Sequence, residues 1–203
     1  MPLRNRVTPL GDVIAAAERG LVYGNRGCLH DAAGRIVRRA ATRRWIACRL
    51  EYRGWYRTPV PRAGRYTALF FLDDATAFAA GHRPCALCRR TDYVRVLDVL
   101  GVPGADALDL LLESERRAEP PSAEPGSLPD GAFVLDRGEP HVVVDGRLKR
   151  WTPGGYGPSR DAPARVELVT PPSLVRVLGA GWDPVVPFLH PSAHQPDLRR
   201  SQT

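Results

Sequence analysis

Two cysteines separated by two residues, Cys85-Ala-Leu-Cys88, place the strongest constraint on how this chain folds. With this spacing, two thiolates from one tight turn can bind a single zinc ion, and the N–H groups of the turn lower the thiol pKa. A redox function is the alternative interpretation. A thioredoxin-type motif directly follows a strand, however, whereas here a predicted helix over 75–80 comes in between, which favours zinc.

The other two cysteines bring the total to four, the number that one structural zinc site uses. The predicted zinc ligands are Cys28, Cys48, Cys85 and Cys88. Alternatives remain open for the first two, because Cys48 falls on the apolar face of a predicted strand, where a cysteine also serves as a small hydrophobic residue. His30 and His82 are alternative ligands, since zinc accepts imidazole as well as thiolate.

The expected compartment is the cytoplasm, with no membrane partner. No apolar run approaches the roughly 20 residues that a membrane helix needs, and residues 1–20 contain no apolar stretch typical of a signal peptide. Four cysteines in a reducing compartment favour metal binding over disulfides. The sequence leaves the oligomeric state open.

Hydrophobic periodicity predicts an α+β fold with a small mixed sheet, short helices and a C-terminal β-meander. Apolar and polar residues alternate over 44–53, which is typical of a half-buried strand. Asp73 or Asp74 is expected to cap an alanine-rich helix over 75–80 that Gly81 ends. The other predicted elements are helices over 10–19, 92–100, 105–117 and 173–179, strands over 35–39, 66–72 and 165–170, and the meander over 132–151.

Proline and small polar residues crowd the segment 118–130, which predicts a linker. This linker would separate a zinc-binding basic module over 20–117 from a small β-rich unit over 131–190. The tail from residue 191 is predicted to be loose.

Positive charge is concentrated in the first half of the chain. Residues 1–90 carry a net charge of +11, residues 91–203 carry −4, and 28 of the 29 basic residues are arginine. Arginine forms forked contacts with phosphate better than lysine does. The asymmetry indicates a polyanionic partner for the first half, although a solvated basic surface is the alternative.

The stretch LFFLDDATAFAAGHRPCALCRR, over about residues 70–90, resembles the second half of the zinc-binding domain of Ada-type DNA alkylation-repair proteins. The shared features are the strand with Phe70 and Phe71, the helix over 75–80, and Arg83-Pro84-Cys85 followed by Cys88. His82 stands where the family has an aromatic ring. The resemblance implies a zinc-binding fold and contact with the DNA backbone.

The resemblance does not extend to methyl-acceptor chemistry. The family has two further cysteines in a C-R-P-S-C segment, one of which takes a methyl group from a DNA phosphotriester. The matching stretch here, residues 56–61, reads YRTPVP and has no cysteine. Cys28 or Cys48 would have to replace that pair, and either is then a candidate zinc-bound nucleophile.

Arginines interleaved with aromatic residues around the motif suit phosphate contacts and base stacking, while cation–π pairing inside the sheet is the alternative. The predicted nucleic-acid contacts are Arg53, Arg57, Arg62, Arg65, Arg83, Arg89, Arg90, Trp55 and Tyr56.

The first hypothesis is a zinc protein that contacts nucleic acid, DNA rather than RNA, in repair or alkylation response. The others are an enzyme that uses the metal or a zinc thiolate, and a structural zinc protein with a protein partner.

Two further groups of polar residues are weaker candidates for chemistry. Polar residues surround Cys28, and this region is the first place to look for an active site; they are Asn25, Arg26, His30 and Asp31. His190 is a weak acid/base candidate or a simple tail histidine, and His141 is expected to be structural.

Overall fold

The computed structural model describes residues 2–56 and 65–195, and it has an α+β architecture with two larger sheets and a few short helices. The first elements are β1 (Arg4–Val7), β2 (Val13–Ala15), β3 (Val22–Asn25), β4 (Ile46–Cys48), β5 (Glu51–Tyr52), β6 (Trp55–Tyr56), β7 (Leu69–Phe71), α1 (Asp74–Ala79) and β8 (Arg83–Pro84). They are followed by α2 (Arg90–Leu100), α3 (Ala105–Arg117), β9 (Ser122–Ala123), β10 (Phe133–Asp136), β11 (Glu139–Val144), β12 (Arg147–Thr152), β13 (Gly155–Arg160), β14 (Val166–Leu168) and α4 (Pro172–Gly179).

The first sheet is mixed and has the strand order β2-β1-β7-β3-β4-β8. β1 runs parallel to β7 and β4 runs parallel to β8, while the other neighbours are antiparallel. β5 and β6 form a separate hairpin that follows β4. This order places the end of β4 and the start of the cysteine motif at the same edge of the sheet.

The second sheet is antiparallel, with the order β13-β12-β11-β10-β14-β9, and it confirms the predicted meander. Its first two hairpins turn through two residues each, Arg137-Gly138 and Asp145-Gly146. All four have positive φ, between 52° and 78°. That pattern is the type I′ turn, whose twist matches that of the flanking strands.

α1 lies at the centre of the molecule because its alanines allow close approach on every side, and all six of its residues are buried. Ala77 packs in the core of the first sheet, and Ala75 packs against the second sheet with Phe133. Phe78 packs between α2, α3 and α4. α1 therefore contributes side chains to three hydrophobic clusters, each of which contains residues from both sides of the predicted linker.

The predicted ends of α1 are confirmed. The Asp73 carboxylate accepts a hydrogen bond from the Thr76 N–H at 2.8 Å and so caps the helix. Gly81 follows the helix with φ of +76°, a left-handed conformation that favours glycine. The bounds of α3 also agree with the prediction.

Several predicted elements differ from the structure, and for residues 13–15 and 122–123 the reason is pairing with another strand. Residues 13–15 form a strand rather than part of a helix, since the turn at Gly11 brings them back against β1. Residues 35–39 contribute only an isolated bridge between Ile36 and His30. The segment 118–130 supplies β9 to the second sheet. Residues 191–194 form a packed turn of 3₁₀-helix in which Ala193 is buried.

None of the described helices combines the length and the apolarity that crossing a lipid bilayer requires.

Candidate metal centre

Three cysteine thiols meet at the edge of the first sheet. Cys48 is the last residue of β4, Cys85 directly follows β8, and Cys88 lies in the turn before α2. Their sulfur atoms all lie within 4.8 Å of one another. A group of soft ligands at this separation can hold a metal ion.

Strand pairing brings the third thiol to the motif. In the parallel pair β4–β8, Ala47 lies opposite Pro84, and the N–H of Cys85 donates to the carbonyl of Ala47 at 2.9 Å. The N–H of Arg89 then donates to the carbonyl of Cys85 at 3.0 Å and closes the turn. Pro84 has no N–H to donate, and it occupies an edge strand, where proline is tolerated.

The three thiols differ in how readily they lose a proton. Neighbouring thiols of Cys48 and Cys88, together with the backbone N–H groups of Cys88 and Leu87, hold the pKa of Cys85 well below its usual range, against the opposing effect of burial. Hydrogen bonding to Cys85 and Cys88, together with burial, raises the pKa of Cys48. A thiol in this cluster that loses its proton supplies the anionic sulfur that a metal ion requires.

Arg83 and Arg89 flank the motif but do not offer their guanidinium groups to an outside ligand, which corrects their assignment to the nucleic-acid interface. Arg83 makes a bidentate ion pair with Asp109 at 2.7 and 3.0 Å. Arg89 binds Asp74 at 2.5 and 2.8 Å and Asp92 at 2.7 Å. All of these side chains are at most 4% exposed.

These ion pairs attach α1, α2 and α3 to the cysteine turn. Burial by itself lowers the pKa of Arg89, but the two carboxylates outweigh burial and raise the pKa above its ordinary value. The three partner aspartates were not predicted from sequence. The sequence does indicate that Asp109 is buried. It lies three residues before Leu112, so both fall on the same buried face of α3.

Cys28 and the two histidines proposed as alternative ligands are not part of the three-cysteine group. The Cys28 thiol donates to the carbonyl of His30 at 3.5 Å, and His30 Nδ1 lies 2.6 Å from the hydroxyl of Thr67. His82 is fully buried, and its Nε2 accepts a hydrogen bond from Arg26 Nε at 3.0 Å. Of the four predicted ligands, the described part of the chain brings together Cys48, Cys85 and Cys88.

Of the other predicted nucleic-acid contacts, five lie within the described residues and two lie outside them. Arg53, Arg65 and Arg90 are exposed, and Tyr56 is 73% exposed. Trp55 lies in β6, where it pairs with Tyr52 across the hairpin. Arg57 and Arg62 lie outside the described residues.

The polar residues around Cys28 serve the local fold. Asn25 Oδ1 accepts from the N–H of Gly27, and Asp31 accepts hydrogen bonds from Arg35 and from the N–H of Ala33. Arg26 is completely buried.

His190 and His141 are both held within the fold. His190 Nδ1 lies 2.9 Å from the Ser192 hydroxyl, and its backbone N–H donates to Asp73 at 2.8 Å. The ring of His141 contacts the carbonyl of Glu139 through Nδ1 at 2.9 Å. His190 is therefore part of a packed segment rather than a loose tail.

No protein-family model, no curated protein and no solved structure matches this chain.

Proposed function

We propose that this chain is a zinc-binding protein that contacts the backbone of nucleic acid, DNA in the first place, next to its metal centre. The observation that carries the proposal is the convergence of the sulfur atoms of Cys48, Cys85 and Cys88 within 4.8 Å. An Ada-like function in DNA repair or alkylation response is the corresponding biological proposal.

The donor set fits zinc in the cytoplasm. Thiolates are soft ligands that select zinc over magnesium or calcium, and the N–H groups of Leu87 and Cys88 face the Cys85 sulfur as in metal-binding turns. When bound, zinc would cross-link β4 to the turn before α2. Because zinc usually has four ligands, the fourth would come from outside the group of three cysteines.

Nucleic-acid contact is supported by the surface next to the cluster. Leu50 and Tyr52 pack against the buried group that contains Cys48 and Cys88, so the β5–β6 hairpin starts at the metal centre. Arg53 and Tyr56 are exposed on this hairpin. The Cζ atom of Arg53 lies 5.2 Å from the ring centroid of Tyr52, and its exposed guanidinium is available for one phosphate contact. The exposed ring of Tyr56 on the same hairpin offers one stacking surface.

Cys28→Ser is expected to leave metal binding intact, because the Cys28 thiol bonds to the carbonyl of His30 and not to the cluster. Elemental analysis should give one zinc per chain in the wild type and in the variant. X-ray absorption at the zinc edge should count three sulfur ligands in both. A count of four that falls to three in the Cys28→Ser variant would restore Cys28 as a ligand and contradict this arrangement.

Removing two of the exposed arginines that are predicted to contact nucleic acid is expected to lower the affinity for DNA and to make that affinity less dependent on salt. In the Arg53→Asn/Arg65→Gln double variant, the slope of log affinity against log salt should fall by about 1 for each phosphate that the protein no longer binds. Asparagine suits position 53, whose φ is +54°. Fluorescence anisotropy with a short duplex and a single strand measures both slopes.

Arg176→Gln is the matched control, because Arg176 is exposed on α4, which belongs to a different hydrophobic cluster from Cys48 and Cys88. It should leave the salt slope unchanged. An affinity that does not respond to salt, or an equal loss in the control, would refute the backbone-contact proposal.

A further inference from the structure

Three arginines surround the buried indole of Trp45, and none of them belongs to the three-cysteine group. The Cζ atoms of Arg26 and Arg116 lie 3.8 and 4.4 Å from the ring centroid, and that of Arg39 lies at 5.9 Å. Arg26 and Arg39 both lie in the connection between β3 and β4, and Arg116 is the residue before the last in α3. Two segments that are distant in sequence thus gather their guanidinium groups around one aromatic ring.

These three arginines differ from Arg83 and Arg89 in their partners. Within residues 2–56 and 65–195, none of the three forms an ion pair with a carboxylate. Their N–H groups bind main-chain carbonyls instead: Arg26 binds Gly11 at 2.8 Å, Arg39 binds Leu10 at 3.0 Å and Arg116 binds Gly81 at 2.9 Å. No carboxylate at ion-pair distance therefore offsets the charge of the cluster within these ranges. Burial lowers the pKa of Arg116 to about 10, and the carboxylates of Glu113 and Asp109 oppose that shift.

Arg26 is the most unusual member because it is 0% exposed. Its Nε donates to neutral His82, and its Nη2 has no hydrogen-bond partner among the described residues. Burial, followed by the charges of Arg39 and Arg116, lowers the pKa of Arg26 to about 9. A buried cation with an unused donor is costly unless a ligand supplies the missing negative charge.

The cluster adjoins a cavity of about 370 Å³. Arg39 and Arg116 line it, together with Leu10, Ala79, Ala80 and Thr170. At Gly11, whose φ is +84°, a Cβ atom would lie 2.9 Å from Arg39 Nη2 and 3.7 Å from Arg26 Nη2. The glycine thus leaves room where two of the guanidinium groups approach each other, directly beside the cavity wall.

Carboxylates also border this cavity, and they restrict where an anion fits. Glu115 is engaged by the N–H and hydroxyl of Ser173 at 3.0 and 2.6 Å. Glu119 and Glu167 also line the cavity and are exposed. With three carboxylates in the lining, an anion can bind only next to Arg39 and Arg116, which favours a small, doubly charged group over a long polyanion.

We propose that this cavity binds a phosphate group, free or as a small phosphomonoester, through Arg39 and Arg116, with buried Arg26 supplying further positive charge behind them. Guanidinium forks match phosphate oxygens in geometry and charge. This site is separate from the cysteine cluster and does not depend on the proposed zinc or DNA functions.

Isothermal titration of the full, metal-loaded protein with inorganic phosphate, in chloride buffer at constant ionic strength, tests the proposal. Adenosine 5′-monophosphate in a parallel titration shows whether free or esterified phosphate binds more tightly. We expect saturable one-to-one binding. Arg39→Gln should weaken it by roughly 10- to 150-fold, the effect of losing a hydrogen bond to a charged group.

Arg38→Gln is the matched control, since Arg38 is the adjacent exposed arginine and does not line the cavity. It should bind phosphate as the wild type does, and Arg39→Lys should be intermediate because it keeps the charge but not the fork. The proposal is overturned if neither anion binds the wild type above the chloride background, or if Arg38→Gln and Arg39→Gln lose affinity equally.

Discussion

Cys85→Ser is expected to abolish stoichiometric zinc binding and to lower the melting temperature by roughly 10–20 °C. The loss of a structural metal site belongs to the class of changes that cost about 4–5 kcal/mol of unfolding free energy or more, and each kcal/mol shifts the melting temperature by about 2–4 °C in a chain of this size. Cys85 is the informative position because its thiol is only partly buried, so serine adds little desolvation cost of its own. Elemental analysis and thermal unfolding followed by circular dichroism measure the two effects.

Treatment of the wild type with a strong chelator should reproduce the loss of stability, and added zinc should reverse it. The Cys28→Ser variant serves as the control for removing a thiol from the same protein. A Cys85→Ser variant that retains one zinc per chain and the melting temperature of the wild type would refute the metal centre.

Arg89→Met is the second change expected to have a large effect. Arg89 binds the carboxylates of Asp74 and Asp92, and all three side chains are at most 2% exposed. Methionine retains much of the volume but leaves two buried carboxylates without their cation, which costs about 3–5 kcal/mol. We expect the melting temperature to fall by roughly 6–20 °C in thermal unfolding.

The adjacent Arg90→Met provides the control, because Arg90 is exposed and should change stability by less than about 1 kcal/mol. The double variant Arg89→Met/Asp74→Asn should be more stable than the sum of the two single changes implies, since it removes one of the unpaired buried charges. Asp74 also accepts from Trp182 Nε1 at 3.0 Å, so the amide retains a possible acceptor. Equal stability of the Arg89 and Arg90 variants would show that the buried network has no such role.

The elements that were predicted correctly are those whose signals are local. α1 has its cap at Asp73 and its stop at Gly81, eight positions later, and α3 carries its apolar stripe over its first two turns, through Leu108 and Leu112. The two-residue turns of the second sheet end in glycine, which permits positive φ. In each case, the residues that determine the conformation are neighbours in the chain.

The predictions that failed concern segments whose conformation depends on pairing with another strand. Residues 13–15 pair with β1, and residues 122–123 pair with β14 some 40 positions later. Pairing satisfies backbone donors and acceptors that a helix or a solvated linker would satisfy differently. Neither periodicity nor composition reports which strand is available as a partner. That partner lies across a short turn for residues 13–15 and more than 40 positions away for residues 122–123.

At the candidate metal centre, one part was determined by the local sequence and another by tertiary pairing. The motif Cys85-x-x-Cys88 determined by itself that two thiols share one turn, since three peptide bonds keep them together in any fold. Which further cysteine joins them was decided by the tertiary structure, because the β4–β8 pairing places Cys48 beside the turn while Cys28 lies elsewhere. The same holds for the arginines. Their charge is evident from the sequence, but only packing buries Arg83 and Arg89 against aspartates and leaves Arg53 exposed.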